Sequence, residues 1–255
     1  MQLTVTRREN LAPAWWQLTL TAPDGPLPLQ PGQFLLLRCA DAFTCYLRRP
    51  IFPQPETDRD FTLLIRPDPD PDPGLAWLAA QQVNDQLDVI GPFGQGFDLS
   101  EGVQNLLLIS DSPDLAPLPA LMTQAVDAGL SVTMALGGRR ATTLYPVSAL
   151  PPVVEFQAAT LDGSLGHHGP VTDLLPDLLR WADRVCAVGS AHLYQTLRTQ
   201  AEQIRFGLST GFAFGLFTDV PLPCGVGSCL ACARHTHAGL QLTCLNGPVF
   251  DLGEL

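Results

Sequence analysis

Four cysteines crowd into the 21 positions from Cys224 to Cys244, and their spacing is what most directly suggests chemistry. Cys224 and Cys229 are separated by four residues, Cys229 and Cys232 by two, and Cys232 and Cys244 by eleven. The first three follow the C-x4-C-x2-C arrangement of plant-type iron–sulfur sites, with the fourth thiol arriving later. A pair of irons bridged by sulfides needs four thiolates converging from a tight loop, and Gly225, Val226, Gly227 and Ser228 supply it. Glycine lets the backbone wrap closely and aim N–H groups at sulfur, which favours the reduced, more negative cluster. The competing reading is a four-cysteine structural zinc site. Such sites usually use paired C-x2-C knuckles, and only one such pair occurs here. The spacing therefore favours a [2Fe–2S] cluster on Cys224, Cys229, Cys232 and Cys244. His235 and His237 read as solvated polar residues, since four thiolates already complete the shell. Cys39, Cys45 and Cys186 stand in strand contexts and read as small core hydrophobes.

The rest of the composition sets bounds. With 255 residues, 46% hydrophobic and 15% charged, the chain can bury a core in one large or two ordinary domains. All 14 basic residues are arginine, and 25 acids bring the net charge to −11. Nothing here resembles the basic stripe that neutralises nucleic-acid phosphates, nor a polybasic membrane anchor. Apolar runs such as Leu106–Ile109 fall far short of a membrane span, and Met1–Asn10 lacks the apolar stretch of a secretory signal. The expectation is a cytoplasmic protein. Seven cysteines, four of them clustered, suit a metal site better than a disulfide framework.

The elements that must position these thiols change rhythm along the chain. Gln2–Arg7, Trp16–Thr21, Phe34–Arg38 and Phe61–Ile65 read as short strands, with turns at Asp24-Gly25-Pro26 and Pro31-Gly32. They predict an antiparallel barrel closing near Gly91–Phe97. From Asn105 the pattern alternates: strands at Asn105–Ile109, Ser131–Leu136, Val153–Phe156 and Arg184–Val188, and helices at Leu118–Ala128 and Ala191–Arg205. On the second helix Leu193, Leu197, Ala201 and Ile204 share a face, and Gly207 is a natural stop. That alternation predicts a parallel α/β sheet. The fold class is thus mixed β and α/β: an antiparallel barrel over 1–99, an α/β domain over 100–218 and a cysteine module over 219–255.

Several motifs occur together and in order. They are Leu47-Arg-Arg-Pro-Ile51, Gly91-Pro-Phe-Gly-Gln-Gly-Phe97, Asp162-Gly-Ser-Leu-Gly166 with Gly169 and Val171-Thr-Asp173, and Cys224-Gly-Val-Gly-Ser-Cys-Leu-Ala-Cys232 followed by Cys244 and Asn246-Gly-Pro-Val-Phe-Asp251. Over nearly its whole length the chain resembles the electron-transfer subunit of type-B dihydroorotate dehydrogenase, within the ferredoxin–NADP reductase superfamily. The resemblance implies an FAD-binding barrel, an NAD-binding-like α/β domain and a C-terminal iron–sulfur module. It also implies an oxidoreductase that is a partner of a dihydroorotate dehydrogenase-type catalytic subunit, two copies of each. In that family electrons cross the cluster to FAD and then reduce NAD. By resemblance, the FAD site comprises Arg49, Pro50, Ile51 and Phe52, then Leu64, Ile65 and Arg66, then Gly74 and Leu75, then Gly91, Pro92, Phe93 and Gly94.

Some positions depart from the family pattern. Phe52 stands where a serine hydroxyl would meet the flavin, and Leu75 replaces the threonine of a Gly-Thr pair that cradles the pyrophosphate. Pro67-Asp-Pro-Asp-Pro-Asp-Pro73 reads as an insertion whose Asp68, Asp70 and Asp72 would repel a pyrophosphate unless turned outward. Its prolines also remove backbone donors. The family's glycine-rich phosphate turn is here Ser110-Asp-Ser-Pro-Asp-Leu-Ala-Pro-Leu118, without glycine and with Asp111 and Asp114. Its Cys-Gly-Pro is here Val188-Gly189-Ser190. Ser110–Asp114 could simply cap a helix. The sequence thus reads as an electron relay through a [2Fe–2S] cluster and FAD toward NAD or another acceptor. The alternatives are an accessory cluster-bearing subunit that has lost flavin binding, NAD binding or both, and a zinc-stabilised interaction protein on a dead reductase scaffold.

Overall fold

The computed structural model describes residues 1–12, 15–23, 25–40, 45–66, 73–99, 102–112 and 115–255. These fall into two compact units: Met1–Gly96 with Thr218–Arg234 and Leu240–Pro248, and Phe97–Phe217 with His235–Gly239 and Val249–Leu255. The sequence suggests three parts, whereas the structure distributes the cysteine-bearing stretch over two. The physical reason is burial, because Leu222, Cys232 and Cys244 lie in one apolar cluster with Phe34 and Leu36.

The first unit opens with β1 (Gln2–Ala12), β2 (Trp15–Thr21), β3 (Phe34–Leu37), β4 (Arg49–Ile51), β5 (Gln54–Pro55) and β6 (Asp60–Ile65). Helix α1 (Pro73–Ala79) and β7 (Gln86–Phe93) follow. The strands pair in the order β4-β3-β7-β1-β2-β6-β5, and each ladder is antiparallel. The two edges, β4 and β5, are joined only by Phe52 and Pro53. Ile51 and Gln54 can therefore be no more than about 11 Å apart, so the sheet curls until its edges meet. The alternation rule holds where it is needed: Leu3 and Val5 of β1 and Leu18 and Leu20 of β2 point into the buried core. The expected strands correspond to β1, β2, β3 and β6. The others went unread because β4, β5 and β7 carry Pro50, Pro55, Gly91 and Pro92, residues that weaken a strand signal.

The second unit contains β8 (Asn105–Ser110), α2 (Leu118–Asp127), β9 (Ser131–Gly138), β10 (Glu155–Thr160), β11 (His167–His168), α3 (Leu175–Trp181), β12 (Arg184–Val188), α4 (Ala191–Arg205) and β13 (Ala213–Leu216). The chain then passes through a hairpin, β14 (Ala233–Thr236) and β15 (Gly239–Leu242), and a one-turn helix, α5 (Thr243–Asn246). It ends with β16 (Val249–Asp251), antiparallel to β13. The large sheet runs β11-β10-β9-β8-β12-β13-β16, parallel from β11 to β13. Leu106, Leu107, Leu108 and Ile109 are all fully buried, as a parallel strand covered on both faces requires. The strand expected at Val153–Phe156 lies at Glu155–Thr160. Pro151 and Pro152 carry the preceding turn through an exposed Val153, and Gln157 and Thr160 mask the rest of the strand. Among the described residues no helix is long and apolar enough to cross a membrane.

Helix α4 shows how local chemistry sets an element. Ser190 caps it by accepting from the Leu193 N–H, and Leu193, Leu197 and Ala201 bury one face. The left-handed residue at its end is Phe206, at φ 57°, one position before the glycine that the sequence suggests as the stop. Its ring is 99% exposed and so gains nothing from packing. A left-handed side-chain residue costs about 1–2 kcal/mol, and glycine's extra unfolded-state entropy offsets about 0.5–1 kcal/mol of any relief. Phe206→Gly is therefore expected to stabilise the protein by about 0.5–1 kcal/mol, raising Tm by about 2 °C in a thermal melt. An unchanged or lower Tm would contradict the assignment.

Candidate functional site

The cysteine segment is held by an apolar cluster and by backbone donors. Phe34 and Leu36 of β3, together with Leu222, Cys232 and Cys244, form a buried core, with Phe52, Phe93, Val220, Cys224 and Leu242 packed against it. The Phe34 ring lies 6.0 Å from that of Phe52 and 5.8 Å from that of Phe93, both tilted. The Cys232 carbonyl accepts from both the N–H and the hydroxyl of buried Thr243, at 3.1 and 2.9 Å, which fixes Cys244 beside it. Gly225 and Gly227 adopt φ of 71° and 74°, and both are tightly enclosed. A Cβ on Gly225 would sit 2.7 Å from the Phe93 ring, and one on Gly227 would sit 2.6 Å from Leu245.

The sulfurs come in two pairs. Cys224 Sγ and Cys229 Sγ are 3.3 Å apart, and Cys232 Sγ and Cys244 Sγ are 3.4 Å apart. All are free thiols, and Cys229 is the exposed one. Burial pushes the Cys224 thiol up, but the N–H groups of Cys229 and Val226 with the Cys229 and Ser228 side chains outweigh it and bring it down to about 6. Cys244 is pushed up to about 12, first by burial and then by Cys232, although the Gly227 N–H opposes the rise. The loop thus aims donors at thiols of both pairs. Because metals bind thiolates, a bound metal must drive proton loss from Cys244. Among the described residues no three Cys, His, Asp or Glu side chains gather round one point as a single ion requires. His235 and His237 are exposed, and Cys39, Cys45 and Cys186 are buried, although only Cys186 lies on a strand, β12, and Cys39 and Cys45 fall between β3 and β4.

The barrel residues of interest flank β3. Arg49, Pro50 and Ile51 form β4 on one side of it, with Ile51 opposite Leu35, while Phe93 of β7 lies opposite Phe34 on the other. The Phe52 ring packs against Phe34. Arg48, beside Arg49, buttresses the sheet by donating to the Asp88 carboxylate at 2.8 Å and to the Leu36 and Asp88 carbonyls. Gly91, Pro92 and Phe93 end β7, and Gln33 donates to the Gly94 carbonyl at 2.9 Å. Leu64 and Ile65 pair with Gln17 and Trp16, and Arg66 follows at the end of β6. Gly74 is buried and Leu75 exposed in the first turn of α1. Asp68, Asp70 and Asp72 lie outside the described residues. Arg66 Nε and Gln54 Nε2 are buried donors with no hydrogen-bond partner among the described residues. An acceptor-rich ligand would satisfy them, so these residues fit a flavin nucleotide.

Residues 222–255 match the family described as the iron–sulfur cluster binding domain of dihydroorotate dehydrogenase B. The chain is 30% identical over 263 residues to the electron transfer subunit of dihydroorotate dehydrogenase B (NAD(+)) from Shouchella clausii, covering 100% of this chain and 97% of that one. It belongs to this family. The corresponding subunit from Geobacillus thermodenitrificans is 29% identical over 260 residues, with the same coverage. Among solved structures, an NADH-dependent reduced ferredoxin–NADP oxidoreductase superposes with a TM-score of 0.79 at 20% identity, over 99% of this chain and 88% of the other. The cytochrome b5 reductase domain of Ulva prolifera nitrate reductase gives 0.63 at 14% identity, over 83% and 95%. The reductase-like fold of these neighbours is the mixed β and α/β architecture expected from the sequence.

In the α/β unit, the Asp162-Gly-Ser-Leu-Gly166 motif builds its own loop. Asp162 accepts from the Ser164 N–H and hydroxyl at 3.0 and 2.6 Å, and Ser164 Oγ accepts from the Ala141 N–H at 2.8 Å. Those Ser164 bonds hold the exposed Asp162 carboxyl below its usual range. His167 meets Asp173 at 2.9 Å. Ser110 Oγ folds the turn after β8 by bonding both the N–H and the carbonyl of Ser112, whereas Asp114 lies outside the described residues. Sequence reasoning missed Arg48, Gln54 and Tyr194. Only Tyr194 had a readable signal, as an aromatic beside Leu193 in the first turn of α4. Removing Phe34, the ring shared by the barrel and the cysteine segment, should cost about 3–5 kcal/mol. Chemical denaturation of Phe34→Ala checks it, and a loss below about 1 kcal/mol would mean that the ring does not hold this core.

Proposed function

We propose that Cys224 and Cys229 ligate one iron of a [2Fe–2S] cluster and Cys232 and Cys244 the other, and that the barrel binds FAD. The pairing of the sulfurs carries this reading: a two-iron cluster takes two thiolates at each iron, whereas structural zinc draws four round one centre. When bound, the cluster supplies one-electron transfer and the flavin exchanges electrons one or two at a time. The chain's own residues shield and tune that chemistry. Gly227, Val226 and Cys229 direct N–H groups at sulfur, and Phe34, Phe52 and Phe93 exclude water from the buried pair. Phe52 and Phe93 also border the proposed flavin residues Arg49–Ile51 and Gly91–Gly94, so one apolar cluster joins the two redox sites. Arg66, from the Leu64–Arg66 strand end, and Gln54 donate to the flavin nucleotide, with Gly74 and Leu75 beyond them.

In this reading the chain relays electrons from a dihydroorotate dehydrogenase-type catalytic subunit to an acceptor, as one half of a cytoplasmic hetero-oligomer. The cysteine loop presents apolar Val226, Leu230 and Leu245 to solvent, which suits a protein partner. Anaerobically purified protein should show flavin bands over broad iron–sulfur absorption, with two irons and two sulfides per chain. A featureless visible spectrum with one zinc per chain would refute the proposal. Cys229→Ser should lose iron and sulfide while circular dichroism stays unchanged, since an exposed side chain contributes little to packing. Full retention of iron and sulfide would remove Cys229 from the ligand set. Arg66→Met should weaken FAD retention by about ten- to hundredfold, the worth of a hydrogen bond to a charged group, without lowering the apoprotein's Tm. Unchanged flavin affinity would count against the placement of FAD.

A further inference from the structure

We propose that Asp111 is a built-in anion that occupies the N-terminal end of α4 and bars nicotinamide dinucleotides from the α/β unit, so that the relay's acceptor is not NAD(H). This rests on the relay reading above. Open parallel sheets take ligands beyond the carboxyl ends of their strands, where the strand order reverses. Here that point lies between β8 and β12, whose last residues, Ser110 and Val188, are register partners. A dinucleotide's pyrophosphate would need a close-approaching turn and free N–H groups at the following helices, α2 and α4.

Neither helix offers a full set. Pro117 precedes α2 and Pro119 lies in its first turn, so two positions carry no N–H, and the Leu118 N–H is bonded to the Leu115 carbonyl at 2.9 Å. At α4 the Ser190 N–H donates to Asp111 Oδ1 at 2.8 Å, and the Ser190 hydroxyl donates to Asp111 Oδ2 at 2.5 Å. Ser190 Oγ in turn accepts from the Leu193 N–H. The Gly189 N–H donates to the Tyr194 hydroxyl at 2.9 Å, which donates to the Leu216 carbonyl at 2.5 Å. The fit is close: a Cβ on Gly189 would lie 2.1 Å from Asp111 Oδ1. A phosphate arriving here would meet a carboxylate of its own sign, with the Gly189, Ser190 and Leu193 N–H groups already engaged.

Calorimetric titration of the anaerobic complex with NAD⁺ and with NADH tests the proposal, because binding heat is read independently of electron transfer. The wild type should show no saturable binding at about 1 mM dinucleotide, and NADH should not bleach its visible bands. Asp111→Gly should tighten dinucleotide binding by about tenfold or more, as expected when a like charge at contact distance is removed. Asp111→Asn, which keeps the shape and loses the charge, should fall between them and serves if the glycine variant does not fold. Micromolar binding by the wild type overturns the proposal, as do folded variants that gain no affinity. Failure of the relay reading shows separately, as missing flavin or cluster bands in the same samples.

Discussion

The thiols of the cysteine segment, as ligands of the proposed cluster, must be kept from water and yet be supplied with N–H donors, and the structure meets both demands. The apolar half comes from β3, whose Phe34 and Leu36 face Leu222, Cys232 and Cys244. The polar half comes from a loop that only glycine permits, because Gly225 and Gly227 take left-handed φ values against Phe93 and Leu245. Each demand constrains the other. Moving β3 would expose the buried thiols, and lengthening the loop would withdraw its donors. This explains why the segment shares a core with the barrel instead of forming a module of its own.

The engagement of donor N–H groups separates the possible anion sites better than fold likeness does. In the cysteine loop the N–H groups of Val226, Gly227 and Cys229 are directed at sulfur. At the start of α4 those of Gly189, Ser190 and Leu193 are engaged, and at α2 proline removes two. In the barrel, by contrast, Arg66 Nε and Gln54 Nε2 stay buried without a partner among the described residues. An unsatisfied buried donor costs about 1–3 kcal/mol, and a ligand that accepts from it recovers that cost. The asymmetry favours a flavin nucleotide in the barrel and disfavours a dinucleotide in the α/β unit.

Where period and spacing carry information, the sequence was legible. The strands at β1, β2, β3, β6 and β8, the helix α4 and the clustered cysteines all follow from short-range pattern. Strands β4, β5 and β7 were not legible, because proline and glycine in them look like turns until a neighbouring ladder makes them strands. Phe52 reads as a lost hydroxyl, yet its ring packs on Phe34, a contact between positions 18 residues apart in sequence. The Asp111–Ser190 pair spans 79 residues and so leaves no local trace beyond an aspartate in a turn and a serine before a helix. What escapes a single-sequence reading is thus the partner, not the residue type.

The absence of lysine has a structural counterpart in how the arginines are used. Arg48 reaches the Leu36 and Asp88 carbonyls, Arg184 those of Gly211 and Asp98, and Arg205 those of Leu179 and Ala182. Each ties its own segment to backbone elsewhere in the chain. A planar guanidinium can serve two carbonyls at fixed angles and keep its charge when half-buried, whereas an ammonium is a single, strongly hydrated point. These cations are therefore committed to holding backbone in place, and the surface keeps the acidic balance of a chain with net charge −11. A protein of this kind cannot draw in a polyphosphate by long-range attraction, so any nucleotide it holds must be won by local donors. That requirement is why the state of a few N–H groups beside Asp111 and Arg66 decides what the scaffold binds.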